Sequence, residues 1–225
     1  MTEYENILQK YWGYPTFRPL QQEIIQSVCQ GKDTRGLMPT GGGKSITFQV
    51  AALSKEGICI VITPLIALMK DQVDNLRRRN IKAAAIYTGM SSSEITRTFD
   101  NCVDGNFKFL YISPERLQTE SFINKLIQLK INLIAVDESH CISQWGYDFR
   151  PAYLNIASIR QYVPKVPILA LTATATPEVV DDIQEKLHFK EKNVFSKSFE
   201  RRNLTYNVYE KNDKIGALLQ LCEKS

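Results

Sequence analysis

The five cysteines of this 225-residue chain (Cys29, Cys59, Cys102, Cys141 and Cys222) include no C-x-x-C pair, which removes the usual spacing of a zinc site or a dithiol redox couple. Odd in number and scattered, they read as reduced, mostly buried thiols of an intracellular protein. The amino terminus, MTEYENILQKYW, lacks the basic start and apolar run of a secretory signal. No apolar stretch approaches the ~18 residues of a membrane span. A soluble, cytoplasmic protein without membrane contact is therefore expected. No repeat or low-complexity tract occurs, which argues against a solenoid or a disordered linker. Charge of one sign is scarce too: 28 basic residues against 24 acidic leave a net +4, compatible with a polyanionic partner but no argument for one.

What is present is the material of one sizeable core, with 44% of residues hydrophobic. Short β-branched runs recur at GICIVIT (57–63), KAAAIY (82–87), KFLYIS (108–113), INLIAVD (131–137) and VPILALTA (166–173). These predict buried strands. Between them stand segments with helical spacing: ITFQVAALSK, PLIALMKDQVDNLRRR, SSSEITRTFDNCV, PAYLNIASIRQYV and PEVVDDIQEKL. Three begin on proline, which suits a first helical turn. The alternation predicts an α/β fold in three layers, helices on both faces of a mostly parallel sheet, with ligand sites at the carboxyl ends of the strands. An amphipathic block (3–30) precedes this region, and a polar stretch (197–213) and a final helical segment, KIGALLQLCEKS, follow it.

MPTGGGKS (38–45) follows a short strand-like segment, DTRGLM, and opens a helix, the setting of a P-loop. Pro39, Thr40, Gly41, Gly42 and Gly43 form the turn, and the glycines let backbone N–H groups encircle phosphate oxygens. Lys44 is placed to reach the β and γ phosphates and Ser45 to ligate Mg²⁺. Met38 stands where the full pattern has its first glycine.

INLIAVD ends on Asp137, with Glu138 next. In P-loop NTPases a strand-terminal Asp holds Mg²⁺ opposite the loop, and a nearby acid orients the attacking water. Asp137 takes the first role and Glu138 that of general base. Close behind, SQWGYDFR (143–150) carries Trp145, Tyr147, Phe149 and Arg150. Interleaved polar residues argue against full burial of these aromatics.

Here a specific resemblance emerges. DESH is similar to motif II of superfamily 2 helicases, and HCISQWGYDFRP resembles the aromatic-rich loop of the RecQ family of DNA helicases. YPTFRPLQQEII (14–25) resembles the family's motif 0, MPTGGGKS its motif I, VITPLIALMKDQV its motif Ia, YISPERL (111–117) its next conserved segment and LTATAT (171–176) its motif III. The ordered set runs from about residue 10 to the end. It implies a RecA-like P-loop NTPase lobe using ATP and Mg²⁺, acting on single-stranded and partly duplex DNA with 3′ to 5′ polarity in repair or recombination, nucleoid-associated if bacterial. Tyr14, Arg18 and Gln21 match the adenine-recognising trio. Trp145 and Phe149 would contact single-stranded DNA; Arg150 would pair with phosphate or reach back toward the nucleotide. His140, Thr172 and Thr174 would relay nucleotide state to the DNA face. Lys70 would contact the DNA backbone, or be a solvated helix lysine.

The resemblance divides the chain into 1–30 with motif 0, 31–197 as the first motor lobe, and 198–225 as inter-lobe linker and start of a second lobe, normally in the same chain. Nothing after residue 213 resembles motifs IV to VI, so an isolated chain is expected to bind nucleotide but not to unwind. The alternatives are a one-lobed, ATP-dependent nucleic-acid-binding switch without motor work and a small-molecule kinase, although no lid or acceptor site is evident for the latter. Three departures from the family pattern stand out: Leu20 replaces a common glycine, Tyr147 a histidine, and SFERRN (198–203) lacks the usual Asp and Pro. The run Arg77, Arg78, Arg79 suits a helix C-terminus better than a DNA patch.

Overall fold

The computed structural model describes residues 2–146, 148–196, 205, 208, 210 and 213–223. Tyr147 and the segment SFERRN lie outside the described residues.

Two helices come first, α1 (Glu3–Trp12) and α2 (Gln21–Cys29). A capping box sets the start of α1: the Glu5 N–H donates to Thr2 Oγ1, and Glu5 Oε2 accepts from the Thr2 N–H at 2.6 Å. The predicted strand and helix pattern then unfolds as β1 (Thr34–Leu37), α3 (Lys44–Leu53), β2 (Ile58–Ile62), α4 (Ile66–Arg78), β3 (Ala83–Ile86), α5 (Ser92–Asp104) and β4 (Phe109–Ile112). A second capping box, Ser91 with Glu94, opens α5. Arg77 and Arg78 close the last turn of α4, where positive charge meets the helix dipole. After a 3-10 turn (Pro114–Gln118) come α6 (Glu120–Leu126) and β5 (Ile131–Val136), then 3-10 helices at Ser139–Ile142 and Pro151–Gln161, and finally β6 (Ile168–Thr172), α7 (Pro177–Lys186), β7 (Val194–Ser196) and α8 (Lys214–Glu223).

The structure differs from the sequence expectation in three places. The run PAYLNIASIRQYV is a 3-10 helix rather than an α-helix, and α6 and β7 are additional elements. β7 is short and largely exposed, so it lacks the apolar run that marks a strand.

The seven strands form one sheet, ordered β3-β4-β2-β5-β6-β1-β7, and every pairing is parallel. Period-2 alternation sends Ile58, Ile60 and Ile62 to one face with Ile134, Val136 and Ile168, where Phe99, Leu126, Ile156 and Ile183 cover them. Cys59 and Val61 point the other way, with Leu133, Ala135 and Leu169, under Leu8, Ile24, Phe48 and Met69. Three layers result, and the amino-terminal helices belong to the second face. Central β5 is flanked by β2 and β6, so the segments after β1, β5 and β6 converge at the carboxyl end of the sheet, where ligands bind in such folds. No helix among the described residues is long and apolar enough to cross a membrane.

Candidate nucleotide and coupling site

The glycine loop leaves β1 and bends where the Gly42 N–H donates to the Pro39 carbonyl at 2.9 Å. Gly43 caps α3 at φ 78°, and a Cβ there would collide with Gln21 Nε2. The backbone angle calls for glycine, and a side chain there would also push the Gln21 amide away from the loop. Lys44 and Ser45 form the first turn of α3, both half-buried. Met38 is buried in the core, and its N–H donates to the Thr172 carbonyl at 3.1 Å. That position carries a side chain because it points down into the core rather than out along the loop.

Two of the motif 0 residues reach the same loop. Arg18 Nη1 donates to the Gly41 carbonyl. Gln21 Nε2 donates to the Gly43 carbonyl at 3.0 Å while its Oε1 accepts from the Arg18 N–H at 2.8 Å. Tyr14 stands nearby in sequence, 49% exposed. Leu20, in place of the family's glycine, adopts φ 71° as the residue before α2. A leucine in the left-handed region costs roughly 1–2 kcal/mol, so this chain holds a strained turn where a glycine would relax.

At the end of β5, Asp137 is buried, and its N–H donates to the Ile62 carbonyl at 2.9 Å. Burial, then the adjacent Glu138 charge, pushes its carboxyl from the ordinary 3.8 up to about 6, opposed by the Glu138 N–H and by Lys44. An acid held so is disposed to accept a cation. Glu138 itself adopts φ 47°, a strained conformation for a non-glycine residue. Sequence reading missed Tyr153: its buried hydroxyl donates to the Asp137 carbonyl at 2.9 Å, and in PAYLNIASIRQYV it passes for a core position.

Beyond the acids the hydrogen bonds continue. His140 Nδ1 lies 2.8 Å from Thr172 Oγ1 and 3.3 Å from Glu138 Oε2. Thr172 Oγ1 donates to the Thr174 carbonyl at 3.0 Å and accepts the Thr174 N–H at 3.2 Å. The hydroxyl proton is thus engaged, which assigns the proton between His140 and Thr172 to Nδ1 and the lone pair to Nε2. Burial lowers the His140 pKa, partly opposed by Glu138 and Asp148, so the neutral ring is favoured. Glu138, His140, Thr172 and Thr174 form one connected path.

The aromatic segment flanks that path. Trp145 is 80% exposed, while Phe149 and Arg150 are half-buried. Arg150 Nη2 lies 3.3 Å from Asp148 Oδ2, and its N–H donates to the Cys141 carbonyl at 2.8 Å. Arg150 therefore engages the loop's own acid. A Cβ on Gly146 would meet the His140 carbonyl at 2.9 Å, which keeps the loop close. His140, Trp145, Thr174 and Val179 line a groove of about 410 Å³ beside it. A larger hollow, about 670 Å³, lies at the amino end of β3 and includes none of these residues. Lys70 lies apart on α4, exposed, its Nζ 4.8 Å from the centre of the Tyr87 ring.

Residues 18–183 match the DEAD/DEAH box helicase family. The chain is 48% identical over 212 residues to the ATP-dependent DNA helicase RecQ of Bacillus subtilis, covering 93% of this chain and 36% of that protein. It is 41% identical over 217 residues to the RecQ of Pasteurella multocida, covering 96% and 34%. It thus spans about a third of the length of these relatives. Its fold resembles the crystal structure of the Pyrococcus furiosus Hef helicase domain, with TM-score 0.58, 23% identity, and coverage of 87% of this chain and 40% of that one. By its match over residues 18–183 the chain belongs to the DEAD/DEAH box helicase family, as a first motor lobe similar to that of RecQ helicases.

Proposed function

We propose that this chain is the ATP-binding lobe of a RecQ-like helicase that couples ATP hydrolysis to 3′ to 5′ movement along single-stranded DNA and to unwinding, in repair and recombination, in the cytoplasm and, if the source is bacterial, at the nucleoid. The observation that carries this reading is the connected path Glu138, His140, Thr172, Thr174 next to an exposed Trp145. A nucleotide switch without motor work has no need of such a path. Residues 31–197 serve as the nucleotide lobe, 1–30 bring the adenine-reading Tyr14, Arg18 and Gln21, and 198–225 lead toward a second lobe.

The residues fit ATP and Mg²⁺. Ser45 and Asp137 offer only oxygen donors, the preference of a hard cation, and Asp137 is held where a cation would relieve its buried charge. Bound Mg²⁺ would neutralise charge on the β and γ phosphates. The loop N–H groups and Lys44 bind the phosphates. Glu138 accepts the proton of the attacking water. His140 senses the Glu138 carboxylate through Nδ1 and shares that proton with Thr172. Trp145 and Phe149 stack on unpaired bases, and Arg150 leaves Asp148 to pair with a DNA phosphate. A second lobe supplies the arginines, worth about 10³–10⁵ in rate when such a finger arrives in trans.

The test is MgATP binding and turnover by the 225-residue chain, with and without single-stranded DNA, beside Lys44→Ala. Expected are binding that needs Lys44, turnover that is slow and indifferent to DNA, and a further loss on the order of 10²–10³ in Lys44→Ala. Absence of ATP binding would sink the reading; brisk DNA-stimulated turnover would sink the need for a second lobe. In the two-lobed protein, Trp145→Ala should abolish DNA stimulation while leaving ATP affinity unchanged and stability within about 0.5 kcal/mol, as for an exposed side chain.

A further inference from the structure

Inside the aromatic loop two side chains outside the ATP chemistry, Cys141 and Asp148, converge on the far side of the His140 ring. Cys141 Sγ lies 3.8 Å from His140 Nε2 and 3.6 Å from Asp148 Oδ2, and the ligand atoms of all three fall within 4.8 Å of one another. A tetrahedral zinc ion with Zn–S near 2.3 Å and Zn–N or Zn–O near 2.0–2.1 Å sets such pairs about 3.5 Å apart. The two pairs that include sulfur need a change of only a few tenths of an ångström, and the pair of His140 with Asp148, within 4.8 Å, closes by about 1 Å as the Asp148 carboxylate swings inward. The orientation fits as well. His140 donates through Nδ1 toward Thr172 Oγ1 and Glu138 Oε2, the arrangement in which a second hydrogen-bond partner fixes a ligating imidazole and raises its basicity. Nε2, on the other side of the ring, lies 3.8 Å from Cys141 Sγ. The backbone bond from the Arg150 N–H to the Cys141 carbonyl holds Asp148 over the thiol. The groove lined by His140, Trp145 and Gly146 opens beside the His140 ligand, and the Asp148 carboxylate is 43% exposed on the loop.

We propose that His140 Nε2, Cys141 Sγ and Asp148 Oδ2 form a binding site for a borderline divalent cation of the zinc class, distinct from the Mg²⁺ position, and that its occupation locks the aromatic loop. Sulfur and imidazole select zinc over magnesium, whereas the all-oxygen pair Ser45 and Asp137 selects the reverse. Binding forms an S–metal bond and releases the thiol proton to solvent, with no change of oxidation state. Three protein ligands leave a fourth position open to water. The cation takes the Asp148 carboxylate from Arg150. With the loop pinned to His140, the cation inhibits DNA-stimulated hydrolysis; this consequence, unlike the site itself, rests on the function proposed above.

The experiment titrates Co²⁺, then Zn²⁺, into the 225-residue chain under excess Mg²⁺. One equivalent of Co²⁺ should give a thiolate-to-cobalt charge-transfer band, which Zn²⁺ displaces. Cys141→Ala should abolish the band, Asp148→Asn should weaken affinity on the order of 10–100-fold, and Cys222→Ala should change nothing. Asp148 lies on the loop surface, so its variant tests the site even if Cys141→Ala unfolds. A band that survives Cys141→Ala in a folded protein, or affinity unchanged by Asp148→Asn, overturns the site. In the two-lobed protein, Zn²⁺ should suppress DNA-stimulated turnover in wild type and spare Cys141→Ala. Zinc binding without suppression overturns the inhibitory role, whereas DNA stimulation absent before any zinc is added counts against the proposed function instead.

Discussion

At the amino-terminal end of the sheet Asp33 is fully engaged, its Oδ2 2.7 Å from Arg160 Nη2 and its Oδ1 accepting the Ile168 N–H at 3.0 Å. Beside it Asn193 donates to Ser27 Oγ and the Asp33 carbonyl, both at 2.8 Å, and to Thr34 Oγ1 at 3.2 Å. At the carboxyl end Asp137 is equally buried but is left with a neighbouring carboxylate and a pKa near 6. Glu138 there holds a left-handed backbone, and the buried hydroxyls of Thr63 and Ser139 lack a hydrogen-bond partner among the described residues. The Asp33 cluster meets its charge within the fold, whereas the carboxyl end leaves the Asp137 carboxylate and two hydroxyls without such partners among the described residues. Local strain of this kind is sustained by the rigid body around it.

That contrast can be tested by substitution at either end. Asp33→Ala should show the largest effect, a loss of about 3–5 kcal/mol in chemical denaturation, because it strands the Arg160 charge in a buried setting. A loss below 1 kcal/mol would mean that the amino end is not the stabilising half. Asp137→Asn should act in the opposite direction. The folded carboxyl titrates near 6 and the unfolded one near 3.8, so between those values the folded state holds more protons and wild-type stability falls as pH rises. With metal chelated, the variant should match wild type below pH about 4 and exceed it by about 3 kcal/mol above pH 6. Addition of Mg²⁺ and nucleotide should narrow that gap. Equal stability at pH 7 would contradict the uncompensated acid. Arg35 complicates the comparison from within the body: it is fully buried on β1, no hydrogen bond reaches its guanidinium among the described residues, and burial lowers its pKa to about 10 despite the field of Asp181. Arg35→Met should therefore stabilise by about 1–2 kcal/mol in melting or denaturant curves, as apolar replacement of a buried charge often does. Destabilisation would show that Arg35 has a partner that balances it.

Much of this architecture was legible in the chain. The runs at 57–63, 108–113 and 131–137 announce buried strands because β-branched residues there face core on both sides. MPTGGGKS and DESH mark the candidate site, since phosphate and metal chemistry need those residue types at the ends of strands. What stayed hidden depends on contacts distant in sequence or on backbone angles. β7 carries no apolar signature, since it joins the sheet through pairing with β1. The left-handed Leu20 and Glu138 look ordinary as letters. Tyr153 acts on Asp137 from sixteen residues away, and the meeting of Cys141 with Asp148 requires the loop to turn back on itself.

The hydroxyl bond from Tyr153 to Asp137 has a mechanical meaning. With the Arg150 to Cys141 backbone bond, it ties both feet of the segment that carries Trp145, whose own N–H donates to Ser143 Oγ at 3.3 Å while the Gly146 N–H donates to the Ser143 carbonyl at 3.1 Å. A pull on Trp145 cannot be dissipated as slack and arrives at the end of β5. Such a loop behaves as a stiff spring seated on the acid strand, and its stiffness sets how faithfully a tug on the indole is felt at the carboxylates.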